Sequence, residues 1–163
     1  MTRQEITEFY REHHRRLYNI SLRILRDSAE AEEVMQDTVL KFVSQERSFA
    51  SGAQVSAWLA RTCIRASIDR LRRRRREEEF LAEYGSAPAS DGESCESPAL
   101  PSVPQIRAAM DALPEPYRLV LNLVLIEGLD YEEIAALTGR KEATLRSIYS
   151  RGRARLMEQL NKI

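Results

Sequence analysis

In the last third of this 163-residue chain, three residues are spaced for nucleic-acid recognition. Within Tyr131 to Ser150, YEEIAALTGRKEATLRSIYS, Ala135, Gly139 and Leu145 stand at relative positions five, nine and fifteen. A short helix, a tight turn and a second helix crossing steeply need a small residue at the crossing, a residue tolerant of positive φ in the turn, and an apolar anchor in the second helix. The three residues supply those needs, and the spacing is that of a DNA-binding helix-turn-helix. Winding the second helix at about 100° per residue puts Leu145, Ile148, Tyr149, Gly152 and Leu156 on its packed side. Ala143, Arg146, Ser147 and Ser150 then face outward. An arginine flanked by small and hydrogen-bonding residues suits a helix in a major groove, where Arg pairs with guanine and Ser with bases or phosphate. Arg140, Lys141, Arg151, Arg153 and Arg155 are placed for phosphates, contacts that position without specifying. The competing reading is a helical hairpin with a solvated basic face.

A second set of residues lies earlier. From Trp58, Arg61, Arg65 and Arg72 follow at plus three, plus seven and plus fourteen, one stripe along a helix. An aromatic ring beside a line of guanidiniums can neutralise a phosphate backbone and stack on bases, the combination used for single strands. A buried Trp58 with solvating arginines is the bland alternative. The run Arg72 to Arg76 favours binding, because five consecutive cations repel one another and gain from a polyanion. Glu30, Glu32, Glu33 and Asp37, with Gln36 and Leu40 beside them, form an acidic face suited to a basic helical partner.

Enzymatic chemistry has little to work with. His13 and His14 are adjacent and point about 100° apart on a helix, so they cannot chelate together. No Gly-rich phosphate loop, nucleophile elbow or HExxH occurs. Cys63 and Cys95 form neither a disulfide framework nor a set of zinc ligands. Cys63 reads as a small core residue and Cys95 as an exposed one. No metal, cofactor or small-molecule substrate is therefore expected.

The formal net charge is zero, with 25 basic and 25 acidic residues, and at face value that counts against nucleic acid. The zero hides segregation. Arg61 to Arg76 carries eight basic residues against Asp69 alone, Glu77 to Gln105 carries seven acidic residues and no basic one, and Arg140 to Arg155 carries six basic residues against one acid. Since charges are screened beyond about 8 Å at physiological salt, each block acts locally.

These residues need helices to hold them. Ile6, Phe9, Tyr10, His13, Leu17, Ile20, Ile24 and Leu25 recur at helical intervals. Asp27 and Ser28 supply caps before a second helix with Ala31, Val34, Met35, Thr38, Val39, Phe42 and Val43 inward. Ser48 to Gln54 reads as a loop. A third helix is predicted over Val55 to Arg76, with Val55, Leu59, Thr62 and Ala66 on its buried side. Tyr84 to Pro104, rich in Ser, Pro, Gly and acid, reads as a linker. Helices are predicted again over Gln105–Leu113, Tyr117–Glu127 (stopped by Gly128 and apolar almost all round), Tyr131–Leu137 and Glu142–Asn161. The expected fold is all-α: a three- to four-helix domain over 1–80, a flexible acidic linker over 81–104 and a helix-turn-helix domain over 105–163. The longest apolar stretch, Leu119 to Ile126, is interrupted by Asn122 and falls far short of the roughly 18 residues of a membrane span, so no membrane insertion is expected. The N-terminus lacks the apolar core of a secretory signal, which points to the cytoplasm.

Taken together, the blocks resemble a bacterial RNA polymerase sigma factor of the extracytoplasmic-function (ECF) type along nearly the whole chain. EAEEVMQDTVLKF is similar to the family's polymerase-binding helix, WLARTCIRASIDRLRRRRR to its promoter-melting and minus-ten helix, and LPEPYRLVLNLVLIEGLDYEEIAALTG with ATLRSIYSRGRARL to its minus-thirty-five-binding domain. The resemblance implies that Glu33, Gln36, Asp37 and Leu40 face the clamp helices of the polymerase's largest subunit, with the flap as a second core contact. It implies that Phe49, Ser51 and Gly52 capture an unstacked minus-ten base, and that Trp58, Arg61, Arg65 and Arg72 hold the opened strand and adjacent duplex. Arg140, Lys141, Ala143, Thr144, Arg146, Ser147, Ser150 and Arg151 would meet the minus-thirty-five element. The acidic linker would thread toward the polymerase's basic RNA path, and an anti-sigma factor is a further implied partner. Two positions depart from the family pattern: Arg65 stands where Asn is common, adding a charge, and Ile148 where Arg is common, removing a phosphate contact. The rival reading is a stand-alone helix-turn-helix transcriptional regulator with an N-terminal sensing or dimerisation domain.

Overall fold

The structure, a computed structural model, describes the backbone of residues 1–82 and 101–162 and the side chains of 1–76 and 101–162. Among the described residues there are seven α-helices, one π-helical turn and no strand. The chain divides into two compact units, Met1–Glu79 and Phe80–Ile163.

In the first unit, α1 (Arg3–Leu25) opens on a capping box between Thr2 and Glu5, which satisfies two otherwise orphan amides. It ends at Arg26, whose left-handed φ of 55° lets its N–H reach the Leu22 carbonyl at 2.8 Å. Asp27 then caps α2 (Ser28–Ser44), its Oδ1 accepting from the Glu30 amide at 3.0 Å. Leu17, Ile20, Ile24 and Leu25 of α1 and Ala31, Val34, Met35 and Val39 of α2 are buried, the core faces that the periodicity predicts.

The third helix, α3 (Gly52–Ala82), is longer at both ends than the spacing predicts. It starts at Gly52 rather than Val55 because Ser51 Oγ accepts from the Gln54 amide at 3.3 Å. Gln54 Oε1 in turn accepts from the Ala50 amide at 2.9 Å. Its buried row also differs from expectation. Leu59, Ala60, Cys63, Ile64, Ser67, Ile68 and Leu71 are buried, whereas Val55, Thr62 and Ala66 are only half-buried. Leu59, Ile64, Ile68 and Leu71 supply the apolar row, and the small residues between them are satisfied locally: Cys63 Sγ donates to the Leu17 carbonyl at 3.3 Å, and Ser67 donates to the Cys63 carbonyl at 2.8 Å while lying 2.9 Å from Ser21 Oγ. These partners let small polar groups enter the core without an unmet donor.

In the second unit, α4 (Val103–Asp111) begins two residues before the predicted Gln105, because Ser102 and Gln105 close a capping box. After α5 (Glu115–Leu121) the chain does not continue as the plain helix expected up to Glu127. Asn122–Ile126 widens into a π turn, closed by the Glu127 amide donating to the Asn122 carbonyl at 3.1 Å. The wide turn shifts the helical phase. Leu119 to Leu123 are buried, but Leu125 and Ile126 are 53% and 48% exposed, so the stretch is not buried all round. Gly128, at φ 69°, ends it. Two further helices, α6 (Tyr131–Thr138) and α7 (Glu142–Asn161), follow. Asp130 Oδ1 caps α6 through the Glu133 amide at 2.8 Å. Ala109, Met110, Leu113, Leu121 and Leu156 form one core cluster, with Ile106, Tyr117, Tyr149 and Leu160 packed against it. The linker residues 83–100, Cys95 among them, lie outside the described residues.

Candidate functional site

The turn between α6 and α7 has the geometry that its sequence requires. Gly139 sits at φ 74°, where a side chain would strain the backbone, and its N–H reaches the Ala135 carbonyl at 2.8 Å. Leu145 is fully buried and anchors α7, and Gly152 and Leu156 are buried on the same side. Ile148 is half-buried, turned toward the packed side. Lys141, Ala143, Thr144, Arg146, Ser147, Ser150 and Arg151 are exposed together, and Arg140 is half-buried at the turn. Arg146 lies over the Tyr131 ring at 5.5 Å from its centre, and Arg155 over Tyr117 at 4.8 Å. Cation–π contacts of this kind hold a guanidinium in place while leaving its donors outward.

The α3 surface is built on aromatic packing. Phe9 stacks on Phe42 at 4.3 Å, Phe42 on Phe49 at 5.5 Å, and Trp58 meets Phe42 at 5.8 Å and Phe49 at 6.2 Å. Trp58 and Phe49 are half-buried, so each ring has one face in this stack and another available. That edge opens on a cleft of about 380 Å³ lined by Arg47, Phe49, Gln54, Trp58, Arg61 and Arg65. Ser51, at the end of the loop, and Gly52, the first residue of α3, are both exposed, and the Gln54 side chain clamps this turn through Ala50. A flat pocket walled by two aromatic rings and three guanidiniums fits an unstacked base with its phosphates. Thr62 and Arg65 also line a second cleft of about 410 Å³ between α2 and α3, with Asp37, Lys41, Asp69, Arg70 and Arg73. The expected arginine stripe is therefore brought together only in part. Arg72 lines neither cleft; it lies 3.7 Å from Asp69, and Arg73 takes the place beside α2.

On α2, Glu33, Gln36, Asp37 and Leu40 are all exposed on one face. Leu40 is 64% exposed and adds an apolar spot to this acidic face. The face is not purely acidic in its surroundings. Arg70 Nη1 lies 2.6 Å from Glu33 Oε2, Arg74 is hydrogen-bonded to Glu30, and Arg74 Nη1 donates to the Leu25 carbonyl at 2.8 Å. The sequence reading took Arg73 only as part of the run Arg72 to Arg76, and it missed Arg47, Gln54, Lys41 and Arg70. A Ser-x-x-Gln pattern at Ser51 and Gln54 is a visible capping signal; the others need the α2–α3 packing. His13 and His14 go separate ways, His13 against Phe9 at 4.5 Å and His14 against Tyr10 at 4.9 Å. Among the described residues no group of His, Cys, Asp and Glu could hold a metal, and no helix is long and apolar enough to cross a membrane.

One chain thus carries a helix-turn-helix suited to duplex DNA and a cationic, aromatic-walled cleft suited to unpaired bases. Both are surfaces of the kind that nucleic-acid-binding proteins use. Sequence models of sigma-70 region 2 and sigma-70 region 4 match residues 9–77 and 104–156. The ECF RNA polymerase sigma factor SigE of Mycolicibacterium smegmatis is 32% identical over 167 residues, covering 95% of this chain and 61% of the relative. The ECF RNA polymerase sigma factor SigM of Mycobacterium tuberculosis is 30% identical over 158 residues, covering 97% of this chain and 78% of the relative. The chain belongs to the ECF RNA polymerase sigma factor family. Its fold is that of the sigma factor RpoE of Bartonella quintana, solved in complex with the anti-sigma factor NepR, at a TM-score of 0.61, 24% identity and coverage of 96% and 97% of the two chains.

Proposed function

We propose that this chain binds RNA polymerase core and directs it to two-element promoters, acting in the cytoplasm as an initiation factor rather than an enzyme. The observation that carries the reading is the pairing of two match regions with two unlike DNA surfaces, one shaped for duplex and one for unpaired bases. Residues 1–80 form the core-binding and minus-ten domain. Glu33, Gln36, Asp37 and Leu40 meet the largest subunit's clamp helices, with Leu40 giving the apolar contact and the acids setting orientation. Phe49, Ser51 and Gly52 receive an unstacked minus-ten base, and Trp58, Arg61, Arg65 and Arg72 hold the opened strand and its duplex edge. Residues 105–163 form the minus-thirty-five domain and meet the flap. There Ala143, Arg146, Ser147 and Ser150 face the bases, while Arg140, Lys141, Thr144 and Arg151 meet the flanking phosphates. The acidic linker, 81–104, follows the polymerase's basic RNA path. An anti-sigma factor covers these surfaces when the protein is held inactive.

A stand-alone regulator would need only the helix-turn-helix, and nothing in the first unit's aromatic cleft serves it. The two readings part on promoter binding. Gel-shift titrations of promoter duplex with the protein alone and with core polymerase should give a specific complex only with core. Tight, specific binding by the protein alone, unaffected by core, would select the regulator.

A further inference from the structure

Arg70 belongs to neither DNA surface nor core-binding face as the sequence presents them, yet it pairs with two carboxylates of that face and lines the α2–α3 cleft, which shares Thr62 and Arg65 with the aromatic-walled one. Its Nη1 lies 2.6 Å from Glu33 Oε2 and its Nη2 3.9 Å from Asp37 Oδ2. The Arg70 side chain is 23% exposed, against 62% and 61% for the two carboxylates, so the guanidinium is tucked between α2 and α3 while the acids that hold it face outward. Arg70 also lines the α2–α3 cleft, where Lys41, Arg65 and Arg73 add positive charge and Asp37 and Asp69 oppose it. A guanidinium has five donors and can be shared by two carboxylates, but while they hold it their charge offsets its attraction for a phosphate. Arg74 is different, because it is fixed to both Glu30 and the Leu25 carbonyl and ties α2 to α3.

We propose that Arg70 couples core binding to promoter binding. In the free chain Glu33 and Asp37 hold it; when a cationic polymerase surface docks on those two carboxylates, their hold loosens and Arg70, already at the cleft wall, contacts a phosphate of the minus-ten region there. The inference rests on the reading that Glu33 and Asp37 face the polymerase. Coupling of this kind is reciprocal, so promoter DNA also tightens the hold on core. It keeps the free protein's affinity for bulk DNA low without removing the charge that the assembled enzyme uses.

The test compares Arg70→Gln in the free full-length protein and in the holoenzyme, on a fork oligonucleotide with an unpaired minus-ten strand, across a four-fold range of salt. One phosphate contact is worth a change of about 0.7 to 0.9 in the slope of log K against log salt, or about three-fold in affinity over that range. Holoenzyme with Arg70→Gln should lose that slope and affinity, while the free variant should match wild type in both. Glu33→Gln/Asp37→Asn in the free chain should gain the same slope, and adding Arg70→Gln should abolish the gain. Equal losses in free protein and holoenzyme, no loss in either, or a gain that survives Arg70→Gln would overturn the coupling. Core affinity, read by fluorescence anisotropy of labelled protein, separates the two ideas. If Glu33→Gln/Asp37→Asn leaves core affinity intact, the docking reading fails, whereas the salt slopes of the free variants judge Arg70 on their own. Urea midpoints of all variants exclude simple unfolding.

Discussion

Gly152 decides whether α7 can seat on α5. A Cβ placed there would lie 3.0 Å from Tyr117 Cβ, 3.3 Å from its Cδ1 and 3.4 Å from its Cγ. The nearest atom is bonded to the backbone, so no change of tyrosine rotamer relieves it and the helices themselves must separate. Overpacking of this kind costs about 1–3 kcal/mol. Gly→Ala in a helix interior returns about 1 kcal/mol through propensity. Gly152→Ala should therefore destabilise the second unit by about 1 kcal/mol on balance, whereas an open site would give a gain of about 1 kcal/mol. For a unit of this size the loss corresponds to a fall in Tm of roughly 4–8 °C. Ala154, exposed on the same helix, gives the calibration, since Ala154→Gly reports propensity alone. Urea melts followed by hydrogen exchange should show lowered protection in α5 and α7 and none in α1 to α3. Promoters that depend on the upstream element should weaken in step, because α7 presents the bases' contacts from that seat. A stabilised Gly152→Ala protein would refute the packing argument outright.

Other expected outcomes address the surfaces directly. Arg146→Ala should cost about 1–3 kcal/mol in discrimination at one upstream-element position, measured by competition binding of holoenzyme to base-substituted promoters, with core affinity unchanged. Leu40→Ala should stay within about 0.5 kcal/mol of wild-type stability, as its side chain is exposed. Its affinity for core should nevertheless fall about ten-fold, the scale of an interface anchor. Glu5 is held below the usual carboxylate range by its hydrogen bonds with the Thr2 backbone and side chain. Its folded-state value is depressed, so the cap is fully present above that range and is lost as pH falls through the lowered value. Protection of the first-turn amides of α1, corrected for the intrinsic pH dependence of exchange, should fall at acid pH in wild type and stay constant in that window in Glu5→Gln.

The features legible in the sequence are those set by local chemistry. Asp27 as a cap, Gly139 at positive φ and Leu145 as an anchor each follow from a few neighbours, and the helical faces of α1 and α2 follow from strongly apolar residues. The α3 face was harder. Leu59, Ile64, Ile68 and Leu71 mark the buried row by their own apolarity, whereas Cys63 and Ser67 join it through the Leu17 carbonyl and the Ser21 hydroxyl, partners that only the packing of α1 supplies. The π turn at Asn122–Ile126 has no compositional signature, and it alone explains why Leu125 and Ile126 face outward. At the surfaces, periodicity placed Trp58, Arg61 and Arg65 together but carried Arg72 along, because a stripe on one helix says nothing about which flank α2 covers. Arg70 and Lys41 enter the cleft only through that neighbour.

With this chain, core polymerase should open and use a promoter that core alone does not. Run-off transcription on genomic promoter fragments, with permanganate probing of minus-ten thymines in the same reactions, reads both steps. Discrete transcripts and reactive thymines are expected only when purified protein and its own core enzyme are present together, both reduced by Leu40→Ala. Promoter fragments bound tightly by the protein with no transcript and no opening in the presence of core would contradict it.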